Sequence, residues 1–246
     1  GIKQWKQDRD PKEPLFRFKR NLVYFSVGTE KVSMTTRLRS DKTFFLPFNK
    51  GIDNPVNEKG FETHYLWEET LQPNCLLDLI ENFVHIRTES EKVYDPQRQK
   101  VVEKKTDVLI FPRFHQLSVV QKMKKSIIDE GVGNNYLIQH TTGSGKSLSI
   151  GWLSHLLSSL YRNPTDTKRM FDSIIVVTDR RVLDKQIQNT IKQLEQTKGV
   201  VCPVDLNSQQ LREFLEQGKS IIVTTVQKFP VISQSISKLN SKTFGV

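Results

Sequence analysis

The chain is poor in the residues that build covalent or metal-held scaffolds. Its 246 residues include two cysteines, Cys75 and Cys202, which lie far apart in the sequence. Two isolated thiols cannot form a disulfide framework or a zinc site by themselves, so the sequence favours a reducing, cytoplasmic location. The five histidines show no HExxH or HxxxH spacing, which argues against a zinc hydrolase site.

Long apolar runs are also absent. No stretch of about 18 consecutive apolar residues occurs, so the sequence predicts no bilayer-spanning helix and no membrane partner. The first residues lack the apolar core of a secretory signal. Charged residues make up 26% of the chain and aromatic residues 9%, a composition typical of a soluble globular protein with one or two domains.

Positive charge is unevenly distributed. The net charge is +10, and residues 1–112 hold 19 Lys/Arg against 17 Asp/Glu, whereas residues 113–246 hold 18 against 10. The excess in the second half favours a polyanionic partner such as DNA or RNA. A basic surface that serves only solubility is the alternative, and charge alone leaves it open.

The first half has two predicted parts. Residues 1–50 are strand-rich, and residues 51–112 hold a loop, two helical segments and a polar excursion that we interpret as a long hairpin. The predicted strands and helices are strands 22–27, 31–36 and 43–46 and helices 63–71 and 74–84. Aromatic residues at strand spacing are predicted to pack in the core rather than to stack on bases. They are Phe16, Phe18, Tyr24, Phe25, Phe44 and Phe45.

A different pattern begins at residue 113 and continues to 246. Nearly continuous apolar runs alternate with amphipathic stretches, which predicts an α/β fold with a parallel sheet covered on both faces. The predicted strands are 136–139, 173–178, 200–204 and 220–225, and the predicted helices are 114–130, 146–161, 181–197 and 207–217. Ligands of such sheets bind at the carboxyl ends of the strands.

The segment His140–Ser147 (HTTGSGKS) is typical of a phosphate-binding loop, because it follows an apolar run and opens a predicted helix. Backbone amides of such a loop surround an anion. Lys146 is expected to reach the β- and γ-phosphates of ATP, and the Ser147 hydroxyl to complete a Mg²⁺ shell. His140 stands where the general pattern has its first glycine. The alternative is a turn that carries Gly and Lys by chance.

Two further groups of residues lie where ligands are expected. Gln116 opens the helix before the loop, and its amide could read the edge of adenine, although a helical Gln is often merely solvated. Arg180 and Arg181 start a helix after a strand, with Lys185 one turn on, and could contact a phosphate backbone. Alternatively, Asp179 caps that helix and the arginines reach solvent or Asp184. Thr224 and Thr225 could donate to phosphates or could simply be strand residues.

The order and spacing of TTGSGKS, IIVVTDRRVLDKQI and IIVTTVQKF resemble the first motor domain of superfamily 2 helicases and translocases. Together with VSMTTRL, FFLPFNKG, HYLWEETL and PRFHQL, nearly the whole chain resembles the restriction (R) subunit of type I restriction-modification enzymes. The resemblance implies a partial RecA-like P-loop motor domain preceded by an α+β remnant of a nuclease-type domain. It also implies ATP and Mg²⁺ as cofactors, and double-stranded DNA and the modification and specificity subunits as partners.

Carried over residue by residue, the resemblance makes Gln116 the adenine-reading residue and Lys146 the catalytic lysine. It places Thr142, Gly143, Ser144, Gly145, Lys146 and Ser147 around the triphosphate and Mg²⁺. It also places Asp179, Arg180, Arg181, Thr224, Thr225 and Gln227 near the tracking DNA strand.

The chain departs from the family at both ends. The PD-(D/E)xK nuclease residues would precede Gln4-Trp5-Lys6, and the apolar strand with DEAH would follow Val246. We therefore expect an internal segment that binds ATP–Mg²⁺ weakly at most and neither hydrolyses it nor cuts DNA. Three alternatives stay open at this point: a DNA- or subunit-binding module that does not use ATP, an RNA helicase, and a product that does not fold.

Overall fold

The computed structural model describes residues 1–96, 99–229 and 242–246, with the side chains of Asp95, Arg181 and Val182 left aside. The chain divides into two compact units, Gly1–Leu117 and Ser118–Val246. Among the described residues, no helix has both the length and the apolar character that crossing a bilayer requires. The predicted boundaries at residues 50 and 112 stay predictions.

The first unit contains a small antiparallel sheet. Helix α1 (Ile2–Gln7) precedes strands β1 (Tyr24–Val27), β2 (Val32–Thr35) and β3 (Leu46–Pro47), which lie in that order in the sheet. The β1–β2 hairpin turns at Gly28, whose N–H donates to Lys31 O at 2.9 Å. Strand β3 begins three residues later than the predicted strand 43–46.

Aromatic residues form much of the core of the first unit. Tyr65 and Phe48 have no exposed surface. The ring of Phe114 contacts both of them, at 5.1 and 5.7 Å between centroids. The Tyr65 hydroxyl donates to Phe48 O at 2.5 Å, and burial raises the pKa of this phenol to about 12. Core packing is confirmed for Tyr24, which is buried, but it is wrong for Phe44, whose surface is 75% exposed.

Short helical segments and a long hairpin complete the first unit. The π-helical turns Leu66–Thr70 and Leu79–Phe83 flank helix α2 (Pro73–Asp78). The hairpin predicted for the polar excursion is confirmed. Strands β4 (His85–Asp95) and β5 (Lys100–Ile110) pair antiparallel from His85↔Ile110 to Asp95↔Lys100. Helix α3 (Phe114–Glu130) follows, and the division between the units falls in its first turn.

The second unit is built on a parallel sheet with the order β7-β8-β6-β9. Its elements in chain order are α4 (Lys146–Ser158), β6 (Ser173–Thr178), α5 (Arg181–Gln193), β7 (Val201–Pro203), α6 (Ser208–Gln217), β8 (Ile221–Thr225), a 3₁₀ turn (Val226–Lys228) and β9 (Phe244–Gly245). The parallel α/β prediction is confirmed. The central strands β6 and β8 are buried along nearly their whole length.

Helices cover both faces of this sheet. On one face, Leu211 and Leu215 of α6 pack against Ile175 and Ile222. On the other face, Ile191 of α5 packs against Val176 of β6 and against Ile221 and Val223 of β8. These strand residues are adjacent in sequence to Ile175 and Ile222. Side chains of adjacent strand residues point to opposite faces, so uninterrupted apolar runs can fill two separate core layers.

One predicted strand is absent. Residues 136–139 have no regular secondary structure, and Leu137 is 94% exposed. A strand requires a neighbour that supplies backbone hydrogen bonds, and none of the strands in the described ranges pairs with this run. The run is apolar, but whether it forms a strand depends on a neighbouring strand that the local sequence does not specify.

Candidate nucleotide-binding site

Two glycines shape the loop before helix α4. Gly143 has φ +78° and Gly145 has φ +82°, and Gly145 is the N-cap of the helix. The left-handed region costs a residue with a side chain roughly 1–2 kcal/mol, so glycine is the residue that these two positions require. The spacing GSG therefore has a direct conformational cause.

The loop leaves backbone amides at the beginning of a 13-residue helix. The first bonds of the helix run from Leu148 N–H to Gly145 O at 3.0 Å and from Ser149 N–H to Gly145 O at 3.4 Å. The N–H groups of Lys146 and Ser147 precede these bonds, where a helix has no internal acceptor for its amides. Such a terminus combines donors with the positive end of the helix dipole, which is a suitable environment for a phosphate.

Lys146 bridges the rim of the loop. Its ammonium group donates to His140 O at 3.2 Å and to Thr141 O at 2.9 Å, and the residue is exposed. His140 stands where the general pattern has its first glycine. It meets Lys146 through its backbone carbonyl, so its side chain does not obstruct this contact. Sequence patterns describe side chains, so they could not reveal these two carbonyl acceptors.

The remaining loop residues differ in exposure. Thr142 and Gly143 are exposed, whereas Ser144 is buried and its N–H donates to Thr141 O at 3.3 Å. Ser147 is half-buried on the first turn of α4. No group of three His, Cys, Asp or Glu residues suited to a metal ion occurs in the described ranges. A hydroxyl beside a phosphate site fits Mg²⁺ that is held mainly by phosphate oxygens and water.

Helix α4 is joined to α5 by a half-buried imidazole. His155 Nε2 donates to Ile191 O at 2.8 Å, since a carbonyl can only accept. Burial lowers the pKa of His155, although the bond to Ile191 and the charge of Glu195 act in the opposite direction. The lowered pKa therefore favours the neutral form of the imidazole.

This contact predicts acid sensitivity. In the unfolded chain His155 has its ordinary pKa, whereas in the folded chain its pKa is lower. The contribution of neutral His155 to the free energy of unfolding is therefore complete above the ordinary pKa, and it is lost as pH falls through the folded-state pKa. We expect the melting temperature to fall between pH 7.5 and about pH 5, and His155→Gln, which keeps an N–H donor, to reduce this fall. Equal pH dependence in the two proteins would contradict the prediction.

Gln116 occupies a structural position at the start of α3. It is 3% exposed, and its Oε1 accepts from Arg113 N–H at 2.9 Å. A Gln three residues after the N-cap that returns to the N-cap amide forms half of a capping box. Gln116 belongs to the first unit and the loop to the second, so reading of adenine by Gln116 stays a prediction.

The residues predicted to contact DNA differ in accessibility. Arg180 is exposed, with Nε 3.8 Å from Asp179 Oδ2, and Lys185 is exposed on α5. The side chain of Arg181 lies outside the described residues. Thr224 and Thr225 are 0% and 5% exposed, so their hydroxyls face the interior in this conformation, and their contact with DNA stays a prediction.

The carboxyl ends of β6 and β8 are linked by polar side chains. Gln227 Nε2 donates to Asp179 O at 2.9 Å, which ties the two strand ends together. Arg180, not Asp179, is the N-cap of α5, and no side chain caps this helix. The exposure of Arg180 agrees with the alternative in which the arginines reach solvent, but the capping by Asp179 that belonged to the same alternative is wrong.

A buried carboxylate beneath this edge was not recognised as an organising residue. Asp184 is 7% exposed and accepts from Thr178 Oγ1 at 3.2 Å and from Gln188 Nε2 at 2.7 Å. The spacing of Asp184 and Gln188, one helical turn apart, was the available signal, because residues at i and i+4 share a helix face.

Comparison with known families places this unit. The family model described as SWI2/SNF2 ATPase matches residues 115–244, which is more than half of the chain. The chain belongs to the SWI2/SNF2 ATPase family. The matched residues contain the loop, helix α4 and the parallel sheet up to Phe244.

Curated relatives of the chain confirm the resemblance to type I restriction enzymes. The SauCOLORF180P and SauMSSORF170P endonuclease subunits of Staphylococcus aureus (strains COL and MSSA476) are each 30% identical over 131 residues. The SsaAORF53P endonuclease subunit of Staphylococcus saprophyticus is 28% identical over the same length. Each match covers 53% of this chain and 13% of the relative, so the chain spans a small part of these proteins.

Proposed function

We propose that this chain is the ATP-binding motor segment of a type I restriction endonuclease R subunit. In this proposal, Lys146 and Ser147 hold the triphosphate and Mg²⁺, and the intact protein uses ATP to translocate and then cleave double-stranded DNA. The observation that carries the proposal is the loop itself, in which two left-handed glycines present helix-terminal amides beside an exposed lysine. The family match and the relatives support it.

The remaining roles in the proposal follow from chemistry and from the resemblance. Mg²⁺ would neutralise developing phosphate charge, while Thr142, Gly143, Ser144 and Gly145 position the phosphates and Gln116 reads adenine. Arg180, Arg181 and Lys185 would contact the DNA backbone, with Thr224, Thr225 and Gln227 at the same edge of the sheet. The modification and specificity subunits would be the protein partners, and the strand-rich first unit a remnant of a nuclease-type domain.

Photocrosslinking tests the nucleotide site. A radiolabelled azido-adenosine triphosphate should label the folded chain in a Mg²⁺-dependent manner, and excess unlabelled ATP should compete. We expect substitution of Gly145 by valine, which cannot readily adopt φ +82°, to remove the labelling without unfolding the sheet. Natively folded protein that is not labelled, or labelling that Gly145→Val leaves unchanged, would overturn the proposal.

One alternative is a DNA- or subunit-binding module that does not hydrolyse ATP. The exposed cations Arg180 and Lys185 favour it, because their contact with phosphates requires no nucleotide. It would be supported by salt-dependent DNA binding in a folded chain that fails to bind ATP.

A further inference from the structure

One turn of the first unit presents an aromatic ring to solvent. Phe44 is 75% exposed, although burial of a Phe side chain is worth roughly 1.5–3 kcal/mol. The same turn carries Arg39 and Lys42, both exposed. Single exposed apolar residues are common, so the significance of Phe44 depends on how rigidly it is held and on what surrounds it.

The turn is held by a buried threonine. Thr43 is 2% exposed, and its hydroxyl accepts from Arg39 N–H at 2.7 Å while donating to Ser40 O at 2.7 Å. Two backbone bonds add to this, from Lys42 N–H to Arg39 O at 3.1 Å and from Thr43 N–H to Ser40 O at 2.9 Å. Phe44 follows directly, so its ring is displayed by an ordered turn, and little conformational entropy is lost when a ligand covers it.

The cations of this surface exceed its carboxylates. In the described ranges, no carboxylate lies within ion-pairing distance of Arg37, Arg39 or Lys42, and Asp41 is the one acidic residue of the turn. The guanidinium of Arg37 lies 4.5 Å from the ring centre of Phe18, and the ammonium of Lys19 lies 5.9 Å from the same centre. Lys19 is neutralised by Asp107 at 2.7 Å, whereas Arg37 is not paired in this way. Unneutralised cations of this kind favour an anionic ligand.

We propose that Phe44, Arg39 and Lys42 form a binding surface for single-stranded nucleic acid, with Arg37 as an additional phosphate contact. A base stacks on the Phe44 ring while the cations contact the flanking phosphates, which is the combination that strand-binding surfaces use. Paired bases offer no free face to such a ring, so an unpaired strand fits better than a duplex. This surface lies in the first unit and is independent of the proposed ATP site.

Fluorescence anisotropy with a labelled oligo(dT) of about fifteen nucleotides tests the surface. Phe44→Ala should weaken binding to this strand about tenfold and leave binding to a duplex of equal length unchanged. The double variant Arg39→Gln/Lys42→Gln should reduce the slope of log affinity against log salt by about 1.4, or 0.7 for each lost phosphate contact. The affinity for an oligo(rU) strand of the same length, compared with that for oligo(dT), shows whether the surface distinguishes RNA from DNA.

Phe61 provides a matched control. It is an exposed Phe of the same unit, 57% exposed, and its neighbours in sequence are Glu58 and Glu62, which outnumber the one cation, Lys59. Phe61→Ala should therefore leave strand binding unchanged, and the effect of Phe44→Ala should persist when Lys146 is replaced by alanine. Strand affinity within twofold of the parent for Phe44→Ala, or an equal loss on duplex DNA, would overturn the proposal without touching the ATP site.

Discussion

Substitution of Lys146 by alanine is expected to weaken the binding of ATP–Mg²⁺ by roughly 10- to 100-fold, because hydrogen bonds to a charged group are worth about 1.5–3 kcal/mol. Its ammonium group is exposed and held by two backbone carbonyls, so it can exchange them for phosphate oxygens. Titration of the folded chain with a fluorescent ATP analogue measures the change. Loss of the contacts to His140 O and Thr141 O also loosens the loop rim, which acts in the same direction.

Lys185→Ala is the matched control for this experiment. It removes the same charge from the same unit, at an exposed position on α5. We expect it to leave ATP binding unchanged and to reduce the salt slope of duplex DNA binding by about 1. ATP affinity that Lys146→Ala leaves within twofold of the parent would contradict the role assigned to this lysine. A chain in which both variants affect only DNA would instead fit the binding-module alternative.

The parallel sheet could be predicted because its strands carry their own signal. The predicted strand 173–178 coincides with β6, and the predicted strand 220–225 differs from β8 by one residue. Strands that are buried on both faces are continuous apolar runs, so the strand can be predicted without deciding which face is buried. The run 136–139 is similarly apolar, yet it forms no strand. A strand requires a second segment to pair with, and the sequence of the run does not specify that segment.

The candidate site was predictable where backbone geometry limits residue choice. Positive φ at Gly143 and Gly145 allows few alternatives, so the loop could be located from its letters alone. Side-chain direction is different. Neither the inward hydroxyl of Thr224 nor the bond from Gln116 to the Arg113 amide has a distinctive pattern. Burial decides both, and burial depends on distant parts of the chain.

At Phe44 the predicted strand was wrong, and the predicted core position was wrong with it. Strand spacing predicted a core ring, but Thr43 takes the buried position and closes a turn that leaves the next side chain outside. Alternation along a strand applies only while the strand continues. Here the chain leaves extended geometry before β3, so the expected core position became a surface position.

Asp184→Ala is expected to destabilise the edge of the sheet by about 2 kcal/mol, because it leaves the donors of Thr178 and Gln188 without their carboxylate in a buried site. Thr178 retains a weak acceptor in Thr224 O at 3.4 Å, whereas no other bond of the Gln188 amide is seen in the described ranges. Hydrogen exchange at the amides of β6 and α5 measures the local stability of this edge separately from that of the first unit. Protection in both elements should fall, and α6 should change less because it packs on the opposite face.

Asp184→Asn distinguishes loss of the hydrogen bonds from loss of the charge. Asn keeps an oxygen that accepts from Thr178, and rotation of the Gln188 amide by half a turn lets its oxygen accept from the new Asn N–H. Position 184 then keeps its bonds to Thr178 and Gln188, but the turned Gln188 NH2 group has no acceptor in the described ranges, so Asp184→Asn should cost about 1 kcal/mol, less than Asp184→Ala. If both variants lost protection equally, the negative charge itself would hold the edge, through the exposed cations at the start of α5. If neither did, the network would contribute nothing to the stability of the strand ends.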